Sequence, residues 1–353
     1  MKKTSAFARV EREQPTGASN RAVLNAAVIG LGWWGQTVVD MMSGSAKLRF
    51  VKAMTRSAAG AAFARQHGME VSDDYAAILR DPHVDAVILC TPHSVHFDQV
   101  VQAAAAKKHV FCEKPLTLTR REAERAIHAC NENRVVLGVG HERRFDPAIM
   151  EMRRRLNAGE LGVPLQIEAN FHQDKFVGLP STNWRMSSAE APAGPLTATG
   201  IHMLDLAVSF FGPAERVVAS VRHHEGVLAN GDALALLVTF KSGSNALISA
   251  ILATPYDGRF ALYGSKEWAE MRDLTHPDAP TGSLLTVCRK GGERSSTQYP
   301  TVSAVRANLE AFAAAARGDA PYPTPQSEMV ATVAALEAVI KSVRTGRVET
   351  VEG

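Results

Sequence analysis

The stretch that most constrains this chain runs from Asn25 to Gln36. Residues 26–29 form a short apolar run that reads as a buried strand. Gly30-Leu31-Gly32-Trp33-Trp34-Gly35 follows with the G-x-G-x-x-G pattern, and residues 36–42 read as the start of a helix. Strand, glycine turn and helix in that order are what a dinucleotide fold requires. Gly30 permits the tight turn, Gly32 lets the backbone approach a pyrophosphate, and Gly35 lets the helix pack closely on the strand. The helix N-terminus then offers free N–H groups and a positive dipole end to phosphates. Trp33 and Trp34, inside the turn, belong to the same expected cofactor site. The six-residue pattern also occurs in ordinary loops, so its strand and helix flanks carry the reading.

From residue 25 to about 141, short apolar runs alternate with alanine-rich helical ones. Strands are expected at 26–29, 48–54, 86–90, 110–111 and 135–139, and helices at 58–67, 75–79, 95–107 and 121–131. Such alternation means a parallel sheet covered on both faces. The residue that reads the ribose should follow the second strand, about twenty residues past the glycines. Thr55-Arg56-Ser57 stands there, and no Asp or Glu occurs from Met41 to Met69. A guanidinium flanked by hydroxyls suits a 2′-phosphate, so NADP is expected over NAD. The competing reading is a solvated loop arginine.

In an open α/β sheet, ligands bind outside the carboxyl ends of the strands. Two further strand ends therefore point at the cofactor: Thr91-Pro92-His93-Ser94-Val95-His96 and Glu113-Lys114-Pro115. By position alone, Lys114 reads equally as a substrate-facing lysine and as a surface lysine paired with Glu113.

After His141 the pattern changes. Glu142-Arg-Arg-Phe-Asp-Pro147 is expected to open a helix that runs through about Asn157, stopped by Gly159. Strand-like runs then dominate at 165–171, 217–222, 233–240 and 245–253, with a hairpin loop at 241–244. One helix interrupts them at 200–212, with His202 and Asp205 three apart and hence neighbours on its surface. Helices at 304–317 and 329–344 close the chain. The irregular polar stretch after residue 171 supplies His172, Asp174, Lys175, Trp184 and Arg185 as pocket candidates: an indole face suits a sugar ring, and a guanidinium suits a carboxylate or hydroxyls. A packed loop anchor is an equal reading of Trp184.

A net charge of +3 over 353 residues does not suggest a nucleic-acid partner. No apolar run reaches membrane-spanning length, and no membrane partner is expected. Cys90, Cys112, Cys130 and Cys288 form no C-x-x-C pair. They indicate free thiols in a reducing, cytoplasmic compartment and no zinc site. His223-His224 with adjacent Glu225 is too sparse a set for a metal. Residues 1–23 are polar, lack an apolar signal segment and read as a disordered leader.

Together the motifs Gly30-x-Gly32-x-x-Gly35, Thr91-Pro92-x-x-x-His96, Glu113-Lys114-Pro115, Arg144-Phe145-x-Pro147 and Gly200-x-His202-x-x-Asp205 resemble those of the Gfo/Idh/MocA oxidoreductases. Asn308-Leu-Glu-Ala-Phe312 and Thr345-Gly-Arg347 extend the resemblance over about residues 24–353. It implies a Rossmann domain, residues 24–146. It implies a second α/β domain, residues 147–353, with an open, largely antiparallel sheet for substrate and for homo-oligomers, dimer or tetramer. It implies hydride transfer between a nicotinamide and a carbinol carbon of a sugar or cyclitol. Lys114 would orient substrate and nicotinamide, and His202 would be the acid–base group. The implied cofactor contacts are the glycine turn, residues 55–57, Thr91, Pro92, His96, Glu113, Lys114 and Arg144.

One departure matters. Many relatives carry an Asp four residues before the histidine, and Ala198 stands there. Asp205 is the expected substitute carboxylate, and Thr197 and Thr199 suggest partial solvent access around Ala198. Two alternatives keep the fold and change the function: an enzyme that recycles its bound nicotinamide or oxidises a dihydrodiol, and a non-catalytic NADP-binding sensor or partner subunit.

Overall fold

The computed structural model describes residues 23–224, 228, 230–276 and 281–352. The expected leader, apart from Val23, and Glu225 lie outside the described residues.

The first sheet is built from β1 (Leu24–Ile29), β2 (Leu48–Met54), β3 (Glu70–Ser72), β4 (Ala86–Leu89), β5 (His109–Cys112) and β6 (Leu137–Val139). Its order is β3-β2-β1-β4-β5-β6 and every pairing is parallel. The order reverses beside β1, which opens a crevice at its carboxyl end where a ligand can enter. β1 and β4 have every residue buried, as a sheet covered on both faces demands. The connecting helices are α1 (Trp33–Met41), α2 (Ala58–Gln66), α3 (Tyr75–Arg80), α4 (His96–Ala105) and α5 (Arg120–Glu132). Ser57, Asp74 and Thr119 cap α2, α3 and α5 by accepting backbone N–H bonds.

α6 (Pro147–Asn157) leads into the second sheet. Asp146 caps it and Pro147 sits in its first turn. β7 (Pro164–His172) comes next, and α7 (Ile201–Phe211) follows a π-turn at Leu196–Gly200. Then come β8 (Ala214–Arg222), β9 (Ala233–Phe240), β10 (Asn245–Ile251), β11 (Asp257–Gly264), β12 (Glu267–Asp273), β13 (Ser283–Arg289) and β14 (Arg294–Tyr299). α8 (Ala304–Ala316), α9 (Gln326–Thr345) and β15 (Glu349–Thr350) complete the chain. The sheet order is β14-β13-β12-β11-β7-β10-β9-β8-β15. β7 and β10 pair in parallel and all other neighbours are antiparallel. The expected hairpin at 241–244 joins β9 to β10 and closes with a bond from Phe240 N to Ser244 O.

α7 is buried along its whole length because it lies between this sheet and α9. The closing helices do not both belong to the second core. α8 sends Leu309, Phe312 and Ala313 into the first core, where the Phe312 ring meets Phe111 edge-on at 5.6 Å. The opposite face of the second sheet stays open and carries the cross-strand pair Leu237 and Leu247, both exposed.

Candidate active site

The glycine turn has the shape its pattern requires. Gly30 has φ +94°, a conformation that side chains other than glycine's rarely adopt. A Cβ on Gly35 would lie 2.0 Å from Gly30 O, so that glycine is required by the contact of helix and strand. Gly32 differs from both: a Cβ there would meet nothing within 4 Å. Its open side, at an α1 N-terminus without a side-chain cap, is the kind of cradle a dinucleotide phosphate fills. Arg56, past the end of β2, is exposed, and among the described residues nothing pairs with its guanidinium. The Ser57 hydroxyl is committed to Gly60 N, and the Thr55 hydroxyl accepts from Ser57 N.

Beyond β4 and β5 the two expected strand ends line one cleft with about 1090 Å³ of empty space, open at its mouth. Trp33, Trp34, Thr91, Glu113, Lys114, Trp184, Arg185 and His202 all face it. Lys114 is not a surface lysine. Its Nζ donates to Ala198 O at 2.7 Å and to Thr197 O at 3.3 Å, both in the π-turn before α7. Burial lowers its pKa, opposed by the carboxylates of Glu142 and Glu113. Burial likewise raises Glu113. Lys175 stands 3.4 Å over the Trp33 ring, and Arg185 stacks 4.3 Å from the Trp184 ring. Burial brings the Arg185 pKa down to about 10.

His202 projects from the start of α7 into the same cleft, 7% exposed. Burial, followed by the neighbouring Lys114, holds its pKa well below the ordinary histidine value. Its Nδ1 lies 3.3 Å from Glu142 Oε1, within ion-pair reach but short of an aligned hydrogen bond. Glu142 follows β6 and is a third strand-end residue in the cleft. Burial pushes its pKa up to about 7, with Glu113 adding to the rise and Arg143 and Lys114 opposing it.

Four expectations need correction. Asp205 does not serve His202. Its carboxylate is 1% exposed, takes both Arg144 Nε and Nη2 at 2.7 Å, and accepts from the Thr332 hydroxyl at 3.1 Å. Two residues three apart on a helix share a surface, but α7 is wrapped on all sides and each meets a different neighbour. Arg144 is consequently no cofactor ligand, since it is spent on Asp205 and Glu328. Asp174 is exposed and does not line the cleft; its neighbour Gln173 does, held by His276 at 2.9 Å. His172 does not line the cleft; its Nε2 meets the Ser249 hydroxyl at 3.2 Å. Thr197 and Thr199 are 1% and 2% exposed, while Ala198 between them is half-buried and lines the cleft, the partial access expected there.

Neither His96 nor Pro92 lines the cleft. His96 is fully buried between the two strand ends, its Nδ1 2.8 Å from Pro115 O and its Nε2 3.0 Å from Thr91 O, and its single N–H donates to one of these carbonyls. Sequence reading overlooked Glu142, Gln173, His93 and Asn230 as cleft residues. For Glu142 the signal was present: it falls three residues past an apolar strand, at the same end as Thr91 and Lys114. His224 pairs with Asp232 at 2.7 Å, and no group of three or more His, Cys, Asp or Glu among the described residues could hold a metal ion. The four cysteines are free thiols, and no described helix is long and apolar enough to cross a membrane.

Comparison with known proteins agrees with this geometry. Residues 24–141 match the GFO/IDH/MocA oxidoreductase family with an NAD-binding Rossmann fold, and residues 149–270 match the GFO/IDH/MocA C-terminal domain. The chain is 30% identical to a 1,5-anhydro-D-fructose reductase of Ensifer adhaerens, over 90% of this chain and 92% of that enzyme. It is 37% identical to a scyllo-inositol 2-dehydrogenase (NAD(+)) of Bacillus subtilis, over 55% of this chain and 56% of that one. A levoglucosan dehydrogenase solved with NADH and levoglucosan superposes with a TM-score of 0.79 at 20% identity, over 94% and 100% of the two chains.

Proposed function

This chain belongs to the GFO/IDH/MocA family of oxidoreductases, and from that premise we propose that it transfers hydride between a nicotinamide dinucleotide, NADP in preference to NAD, and a carbinol carbon of a sugar, cyclitol or similar cyclic alcohol. The observation that carries the reading is the meeting of Lys114 and His202 in one cleft whose wall includes Trp33 and Trp34, next to Gly32. Relatives named for an anhydro-sugar and an inositol support the substrate class.

The residues present fit the cofactor, because Gly32 leaves open the space that a side chain would close. A bound nicotinamide supplies the acceptor or donor of hydride, and the protein does the rest. The Lys114 ammonium has three N–H groups and gives two to carbonyls, so one remains for the substrate oxygen. His202 has Nδ1 turned to Glu142, which leaves Nε2 for the hydroxyl proton. Its depressed pKa keeps the imidazole neutral and able to accept near pH 7. Trp184 and Arg185 offer the indole face and donors for a polyol ring. Arg56, exposed and unpaired among the described residues, is the group proposed to hold the 2′-phosphate, with Thr55 beside it. The same reading takes the 24–146 and 147–353 division as cofactor and substrate units. It also has the chain work in a reducing cytoplasm as a homo-oligomer joined through the open sheet face around Leu237 and Leu247.

The test is a panel of sugars, cyclitols and dihydrodiols with NADP and with NAD, followed by the absorbance of the reduced cofactor. Reduction with a cyclic alcohol, faster with NADP, is the expected result. Turnover without net reduction would mean internal recycling. Cofactor binding with no turnover across the panel would support the sensor alternative.

A further inference from the structure

We propose that Glu142 is the positioning carboxylate of the proton-transfer site: it accepts the N–H of His202 Nδ1, so fixing the tautomer with a bare Nε2, and balances the imidazolium that forms in turnover. The inference rests on the reading that His202 takes the alcohol proton.

A neutral imidazole carries one N–H. For Nε2 to accept, the proton must sit on Nδ1, and a buried N–H needs an acceptor. Nδ1 is buried, and Glu142 Oε1 is 3.3 Å from it. The other side chains nearby make no hydrogen bond to Nδ1. Thr197 and Thr199 donate their hydroxyls to Gly194 O and Phe171 O. Asp205 is held by Arg144 and Thr332. Ala198 has no polar side chain, and Lys114 has donors only.

The backbone around Glu142 is anchored. On its C-terminal side, Arg143 pairs with Asp273 at 2.8 and 2.7 Å, and Arg144 pairs with Asp205. On its N-terminal side, His141 N donates to Val139 O at 2.8 Å. A carboxylate carried on such a segment holds an imbalance of charge at one place. That matters because the charged groups acting on His202 besides Glu142 are Lys114 and Arg143, with His141 also close, and all of these disfavour a cationic imidazole. Facing Glu142 in turn are Glu113, Lys114, Arg143 and His202.

The step balances. The alcohol O–H bond breaks and its proton goes to Nε2. The carbinol C–H pair leaves as hydride to the bound nicotinamide, and C=O forms. One positive charge appears on the imidazole, 3.3 Å from the Glu142 carboxylate.

Glu142→Gln keeps the size and removes the charge; Glu142→Asp keeps the charge on a shorter arm. The first measurement is a ¹⁵N NMR titration of the His202 ring in the cofactor-free chain, assigned with His202→Asn. The His202 Nδ1 resonance of the parent is expected to follow the Glu142 titration near pH 7, and Glu142→Gln is expected to remove that step. The second is steady-state kinetics on an alcohol that the parent oxidises. Glu142→Gln should lose about 100-fold in kcat, with KM and dinucleotide affinity within a few-fold, and Glu142→Asp should recover part of the loss. Retained dinucleotide affinity also reports that the variants fold. An unchanged His202 titration, or an unchanged kcat, in a chain that oxidises alcohols overturns the role of Glu142 and leaves the dehydrogenase reading standing. Loss of that step in a chain that oxidises none supports the Glu142–His202 pairing and overturns the dehydrogenase reading.

Discussion

Asp205→Asn should act on stability and leave the chemical step alone. Asp205 holds both nitrogens of the Arg144 fork, accepts from Thr332 on α9, and lies 3.6 Å from His141 Nε2. The pair is buried: the Asp205 side chain is 1% exposed and the Arg144 side chain 12%. The Arg144 cation holds the Asp205 pKa below the ordinary carboxylate value despite complete burial. Removing one partner of such a pair costs about 3–5 kcal/mol, because the other charge is left in a medium that cannot solvate it. Glu328 still reaches Arg144, so the low end, about 3 kcal/mol, applies. At about 2.1 cal/mol/K of unfolding entropy per residue over 353 residues, this lowers Tm by about 4 °C if the chain unfolds as one unit. Urea unfolding followed by circular dichroism and a thermal melt measure the loss. Turnover per folded molecule, and its pH profile, should match the parent below the melt. A variant that melts with the parent yet turns over more slowly, with a displaced pH profile, would refute the argument and return Asp205 to the active site.

Arg56→Ala should weaken NADP by about 1.5–3 kcal/mol and leave NAD unchanged, read from dissociation constants for the two cofactors; equal losses would show that Arg56 does not read the phosphate. His202→Ala should lower kcat by about 100-fold with dinucleotide affinity intact, and Lys114→Ala should also cripple turnover, each measured by steady-state kinetics. Gly32→Ala should fold with parental stability and lose dinucleotide binding, since the added methyl meets only empty space; Gly35→Ala should be destabilised, since its Cβ would stand 2.0 Å from Gly30 O. Because Glu142 titrates near 7 in the folded chain and about 4.5 when unfolded, the native state binds more protons between those values. Its contribution therefore makes stability fall as pH rises from about 5 to 7, and Glu142→Gln should flatten that slope in urea unfolding measured across the range.

The first sheet was legible because each of its main strands is a short apolar run ending in a turn signal. β3 was not, being three residues with an exposed glutamate. The far edge of the second sheet was harder. β14 reads Arg294-Ser-Ser-Thr-Gln-Tyr299 with no apolar alternation, and it is held by backbone pairing to β13. In β12, Glu267 occupies a buried position because Arg155 and Arg289 neutralise it, an arrangement that spans over a hundred residues of chain. Within the site, the residue types at strand ends were readable, and Lys114 and His202 meet as the motifs implied. The identity of the carboxylate beside His202 was not. Spacing along α7 places Asp205 near His202 on one helix, but it carries no information about Arg144 or Glu142, which arrive from the end of β6.

The docking of α8 into the first core has a consequence for how the chain is made. Phe111 and the β1–β4 strands leave the ribosome early, yet their covering side chains Leu309, Phe312 and Ala313 follow only after β7 to β14 of the second sheet. Roughly 180 residues separate the end of β6 from the end of that helix, on the order of 10–30 s of synthesis at about 5–20 residues per second. During this interval the nascent nucleotide unit presents an uncovered apolar flank to the cell. Its protection in time falls to chaperones, and a fragment ending near residue 146 should carry the same defect permanently and aggregate where the full chain does not.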